Sequence, residues 1–114
     1  MSELLKLDPT PVRIQLRRKK GWRLQEFSRD LNGLTAVSCT RGKGRIYGNP
    51  FKVGVDGTAF EVCDKHVNWL LTTKEGLEVL RRCKTELRGR NLACSCPLSQ
   101  PHCHVNTLLK YANE

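Results

Sequence analysis

The feature that most constrains this chain is a change of apolar period, repeated along little more than a hundred residues. Val12, Ile14 and Leu16 alternate with Arg13, Gln15 and Arg17, which is the period of a half-buried strand. Leu24, Phe27 and Leu31 then fall at i, i+3 and i+7, one helical stripe that Asn32-Gly33 closes with a left-handed cap. Residues 34–39 read as a second, largely buried strand. Thr58 with Glu61 has capping-box spacing and opens a helix with Phe60, Cys63, Val67, Leu70 and Leu71 on one side. Thr72 with Glu75 repeats the signal for a helix that buries Leu77, Leu80, Cys83 and Leu87. Residues 91–96 form a third expected strand, which Pro97 ends. Ser99-Gln100-Pro101 then starts a final helix through Val105, Leu108, Leu109 and Ala112.

Strands separated by helices predict an α/β fold: a small, three-layer-like sheet of three to four strands, mostly parallel, with flanking helices. Residues 51–55 are the candidate fourth, edge strand. At 114 residues there is material for one core and not two. The expected organisation is a single domain over 11–114 behind a loosely ordered lead-in at 1–10. No apolar run approaches the roughly 18 residues of a membrane span, and the first ten residues lack a signal peptide's apolar centre. A cytoplasmic location and no membrane partner are the expectations. In that reducing setting the six cysteines are expected as free or metal-bound thiols rather than disulfides.

The net charge of +9 is unevenly spread, with 11 Lys/Arg against 4 Asp/Glu in residues 1–50. Arg17, Arg18, Lys19 and Lys20, with Arg23, form one basic run; Arg41, Lys43 and Arg45 form another. Such a field selects anionic partners, either nucleic acid or nucleotides. Trp22 and Tyr47 lie beside these runs, as base-stacking platforms or as aromatics that cover the core.

Two segments carry the densest chemistry. Residues 41–51 include three glycines and the motif Gly48-Asn49-Pro50-Phe51, a loop suited to close backbone approach. Residues 94–104 hold Cys94, Cys96, His102, Cys103 and His104, at a strand end and a helix start, where α/β folds bind ligands. Three readings of this tail are open. Cys103 is an anion-facing or reactive thiol with His104 beside it; or Cys94, Cys96, Cys103 and His104 (or His102) bind zinc; or the cysteines are small core residues. Against zinc, Cβ atoms two apart on an extended strand are about 7 Å apart. Cys63 and His66, at i and i+3, are a weaker pair of candidate ligands, with a core cysteine as the plainer reading. Phosphate-loop, dinucleotide-fingerprint, cytidine-deaminase and nucleophile-elbow patterns are absent.

Gly48-Asn49-Pro50-Phe51-Lys52-Val53-Gly54, Glu86-Leu87-Arg88-Gly89-Arg90-Asn91-Leu92-Ala93-Cys94-Ser95-Cys96, Cys103-His104 and Leu108-Leu109 together resemble one family, the domain of unknown function 4326 of phage and actinobacterial genomes. Pro11-Val12-Arg13-Ile14-Gln15 and Lys20-Gly21-Trp22 are also similar, so the resemblance spans residues 11–113. Tyr47 and Ser95 stand where the family usually has tryptophan, and Asn106 where an aspartate often follows the Cys-His pair. The resemblance implies a compact, phage-encoded intracellular domain and supplies no activity.

The leading expectation is a site for a nucleotide-like or other phosphorylated ligand. Arg41, Lys43 and Arg45 would counter its charge, and Gly48, Asn49, Pro50 and Phe51 would shape and orient it. Cys103 and His104 would bind or attack it. Two alternatives come from other classes. One is a nucleic-acid-binding module, zinc-stabilised, contacting its partner through Arg17, Arg18, Lys19, Lys20, Trp22 and Arg23. The other is a phage effector that binds a host or defence protein.

Overall fold

A computed structural model describes residues 10–42 and 45–114. The expected lead-in therefore falls, but for Thr10, outside the described residues. Along the chain run β1 (Arg13–Gln15), α1 (Leu24–Asn32), β2 (Ala36–Ser38), α2 (Ala59–Thr72), α3 (Lys74–Glu86), β3 (Asn91–Cys94) and α4 (His104–Ala112). The sheet has the order β1-β3-β2, and β3 pairs in parallel with both neighbours. β3 is the central strand and is buried at all four residues, as a strand covered on both faces must be.

Alternation along β3 divides the interior. Leu92 and Cys94 face the larger core, built with Leu70, Val79, Cys83, Leu87, Val105 and Leu108 of the α2, α3 and α4 layer. Ala93 faces the smaller core with Ile14, Ala36, Leu24 and Phe27 beneath α1. Asn91 is also fully buried, and its amide serves as a hub. Its Nδ2 donates to Ser28 Oγ at 2.7 Å and Asn32 Oδ1 at 2.8 Å, and its Oδ1 accepts from Val12 N at 3.0 Å. Every polar atom that this packing removes from water on Asn91 thus finds a partner.

Local signals explain the element ends. Gly33, at φ 84°, closes α1 in the left-handed region, where a Cβ is strained. The capping box at α2 is complete: Thr58 Oγ1 accepts from Glu61 N, and Glu61 Oε1 accepts from Thr58 N. At α3 the cap is Thr73 rather than Thr72, since Thr73 Oγ1 takes the Gly76 N–H.

Several expectations are corrected. Residues 51–55 form no strand; they make turns and one isolated bridge, Val53 to Gly57, so the described sheet stops at three strands. The second strand is trimmed to Ala36–Ser38 and the third to Asn91–Cys94. α2 buries Val62, His66 and Leu70, while Phe60 and Leu71 lie exposed. Leu31 and Leu77 are also exposed. α4 begins at His104, not near residue 100, because residues 97–102 are bent away by bonds described below. No helix among the described residues is long and apolar enough to cross a membrane.

Candidate functional site

In a parallel sheet all strands end at one edge, and here β1, β2 and β3 end at Gln15, Ser38 and Cys94. A cleft of about 500 Å³ opens at that edge, the position where open α/β sheets take ligands. Its walls come from Thr40 and Arg41 after β2, from Asn49, Phe51, Lys52, Val53 and Val55 of the following loop, and from Val62 of α2. Its floor is the segment from Cys94 to Cys96 together with His102, Cys103 and His104. Asn49 and Phe51 thus share one cavity with residues 94–96 and 102–104, far away in sequence.

The loop reaches the cleft because its own polar groups hold it there. Asn49, 5% exposed, donates from Nδ2 to the Val62 carbonyl at 3.2 Å and accepts at Oδ1 from Phe51 N at 2.9 Å. Arg41 Nη1 donates to the carbonyls of Asn49 at 3.0 Å and Phe51 at 3.4 Å. Gly48 lies so close to Arg41 that a Cβ would stand 2.6 Å from the Arg41 Cα. Asn49 therefore holds the loop, and Arg41 combines that role with an exposed position on the cleft wall. Arg45, Gly48 and Pro50 line a second, shallower cavity of about 350 Å³, shared with Arg41 and Trp69. Lys43 lies outside the described residues.

At the floor β3 stops at Cys94, and the chain bends at Ser95 and Cys96 instead of continuing as a strand. That bend removes the 7 Å separation expected for an extended Cys-x-Cys. The sulfurs of Cys94, Cys96 and Cys103 all lie within 4.8 Å of one another, and Cys94 Sγ is 3.2 Å from Cys103 Sγ. Cys103 is the N-cap residue of α4. Contact with the Cys94 thiol, then with His104, the Val105 N–H and Arg13, outweighs burial and holds the Cys103 thiol below its ordinary range. Cys94 is correspondingly raised by the same contact and by burial. Of the other thiols, Cys39 and Cys83 are buried and Cys63 is half-buried; desolvation pushes Cys63 and Cys83 up to about 11 and Cys39 to about 12.

Arg13 organises this floor, although residue-by-residue reading did not single it out. It pairs with Leu92 across the β1–β3 ladder, so its side chain leaves the sheet on the same face as Leu92 and Cys94. Its Nη2 donates to the carbonyls of Gln100 at 2.8 Å, Leu98 at 3.1 Å and Pro97 at 3.4 Å. Its Nη1 is buried with no nitrogen or oxygen partner. The strand alternation contained the signal: Arg13 was the polar partner of a half-buried strand, and the sheet proves to be covered on both faces.

The histidines divide. His104 is buried, and its Nε2 lies 2.8 Å from the Cys39 carbonyl; a carbonyl only accepts, so Nε2 carries the proton. His104 touches Cys103, but its ligand atoms do not join the three-sulfur group. His102 is exposed, edge-on to Phe60 at 5.2 Å between ring centroids. His66, expected only as a partner for Cys63, is 1% exposed, stacked on Trp69 and edge-on to His104 at 5.4 Å. Lys52, Thr40 and Ser95 also line the cleft without having been foreseen.

Of the basic run, Arg17, Arg18, Lys19, Lys20 and Arg23 are exposed on the β1–α1 connection, which leaves the sheet at the cleft edge. Trp22 is not a free stacking platform. It packs on the smaller core, 5.5 Å from the Phe27 ring. Tyr47 is buried and donates to Glu86 Oε1 at 2.6 Å, tying the loop to α3.

Comparison with family models matches residues 14–114 to the domain of unknown function DUF4326. The match covers most of the chain, which therefore belongs to this family. Neither the curated proteins nor the solved structures include a match to it.

Proposed function

We propose that this DUF4326 domain binds a nucleotide-like or other phosphorylated small molecule in the cleft at the carboxyl edge of its sheet. One observation carries the reading. The cleft walls bear Arg41 and Lys52, and among the described residues no carboxylate lines it. A cavity of about 500 Å³ suits a ligand of mononucleotide size. Its two kinds of wall divide the work. Arg41 and Lys52 attract negative charge. Phe51, Val53 and Val55 offer an apolar face to a base or another flat group.

The test is thermal shift and native mass spectrometry of the purified protein against a panel of nucleotides, dinucleotides and sugar phosphates. At least one phosphorylated member raises the melting temperature, and its unphosphorylated counterpart does not. Lys52→Glu, at an exposed position that holds no core contact, weakens that ligand by about tenfold, the value of one charge-assisted bond. A panel with no binder, or a binder indifferent to both the phosphate and Lys52→Glu, overturns the proposal.

A second reading, nucleic-acid binding, is favoured by the exposure of Arg17, Arg18, Lys19 and Lys20 at the same edge. It predicts binding that falls steeply with salt and disappears when those four cations are neutralised. Salt-insensitive binding, or binding unaffected by that variant, refutes it.

A further inference from the structure

The cleft floor gathers more sulfur than a ligand pocket or a redox pair requires. Cys94 and Cys103 alone make the 3.2 Å contact, and a two-thiol couple needs nothing else. Cys96 is nevertheless brought back to them by the break in β3 and the bend at residues 95–96. That bend is held from outside by Arg13, which bonds three carbonyls of the segment joining Cys96 to Cys103. The fold thus commits backbone irregularity and a half-buried cation to placing a third thiol.

We propose that Cys94, Cys96 and Cys103 form a three-thiolate site for a thiophilic divalent cation of the zinc class, with the fourth coordination position filled from the cleft.

Distance supports the set. Two thiolates bound to one zinc at about 2.3 Å each lie at most ~4.6 Å apart. The three sulfurs already lie within 4.8 Å of one another, so closing around an ion takes movements on the order of 1 Å, within side-chain reach. Ligand chemistry supports it too, since soft sulfur donors select zinc-class ions over magnesium or calcium. Charge is accounted for: three thiolates and a dication leave one negative charge, and the Arg13 guanidinium lies beside it with Nη1 lacking any nitrogen or oxygen partner. Binding needs the thiols deprotonated, and their protons pass to water.

The open position follows from the neighbours. No fourth Cys, His, Asp or Glu ligand atom joins this group among the described residues. All three cysteines line the cleft. Three protein ligands with an exchangeable fourth is the pattern of a reactive zinc site rather than a closed structural one. The proposal stands independently of the phosphorylated-ligand reading.

The probe is Co²⁺ alone, titrated into the reduced full-length chain without nucleotide. One equivalent binds and gives intense tetrahedral visible bands with sulfur-to-cobalt charge transfer in the near ultraviolet, and Zn²⁺ displaces it. Cys96→Ser, at the half-buried position least needed for packing, lowers the charge-transfer intensity by about one third, as three thiolates become two. Cys94→Ala with Cys103→Ala abolishes the signal, whereas Cys63→Ala and Cys83→Ala leave it intact. Failure of the reduced protein to bind Co²⁺, an octahedral spectrum without charge transfer, or an unchanged spectrum in Cys96→Ser overturns the proposal. Should the double variant fail to fold, Cys96→Ser alone decides. A normal cobalt spectrum with no binder in the nucleotide panel sinks only the ligand reading.

Discussion

Protonation of His66 reports on the interior of this site from within. The ring is 1% exposed, stacked on Trp69 and edge-on to His104, and its Nδ1 has no hydrogen-bond partner. Burial, and then the neighbouring His104, push its pKa from 6.5 down to about 4, against a smaller upward pull from Cys103. The unfolded chain therefore takes up this proton near pH 6.5 and the folded chain only near pH 4. A depressed folded pKa means that stability is complete above the unfolded value and is lost as pH falls toward the folded one. Linkage puts the loss at about 2 kcal/mol by about pH 5 and about 3 kcal/mol by about pH 4. The assay is urea denaturation of the reduced protein with chelator present, from about pH 8 to about pH 4.5, for wild type and His66→Gln. The variant is less stable near neutrality because packing is lost. The gap between the two proteins narrows by about 2 kcal/mol between about pH 7.5 and pH 5. Parallel pH profiles would refute the reasoning, because they would mean that the folded state already accommodates the charged ring.

Three further outcomes follow from other parts of the molecule. Asn91→Ala removes the partner of Val12 N and the bonds that Ser28 and Asn32 make to Asn91, leaving those two only their bonds to Leu34 and Thr10; it costs about 3 kcal/mol in chemical denaturation, and a loss under 1 kcal/mol would contradict the hub. Gly48→Ala drives a Cβ into the Arg41 backbone; it destabilises by about 1–3 kcal/mol, with amide exchange accelerating at residues 48–52, and unchanged exchange would remove the close approach from the account. Thr58→Ala removes the cap of α2 and costs about 1 kcal/mol, measured as a fall in melting temperature, and Thr58→Ser restores most of it.

The sheet was legible in the sequence because strand and helix periods differ, and because Pro97, Gly33 and the Thr58–Glu61 box punctuate the chain. Helix faces were less legible. α2 carries Phe60, Val62, Cys63, Val67, Leu70 and Leu71 around much of its circumference, so periodicity alone cannot tell which stripe meets α3 and α4. The actual stripe runs through His66, which an apolar count passes over. Ser28 and Asn91 were hidden for a related reason. Buried polar residues are stable only as partners, and the partner lies 63 positions away in the chain.

The site shows the same division between segment and atom. That residues 48–51 and 94–104 belong together was expected from their loop chemistry and from the carboxyl-edge rule. Which atoms face the cleft was not, because internal hydrogen bonds had first claim on the most conspicuous donors. Asn49 is taken up by Val62 and Phe51, Arg41 in part by the loop carbonyls, and His104 by Cys39. The groups left facing the cavity include plainer ones, such as Lys52 and the three sulfurs. Arg13 completes the point. Its position opposite Leu92 follows from strand register alone, yet its role appears only when α4 and the 97–100 segment close over that face of the sheet. Arg13 is only half-buried, yet the segments that cover its face of the sheet supply its partners, so a charged residue on such a strand has to be matched to the fold before it is assigned to the surface.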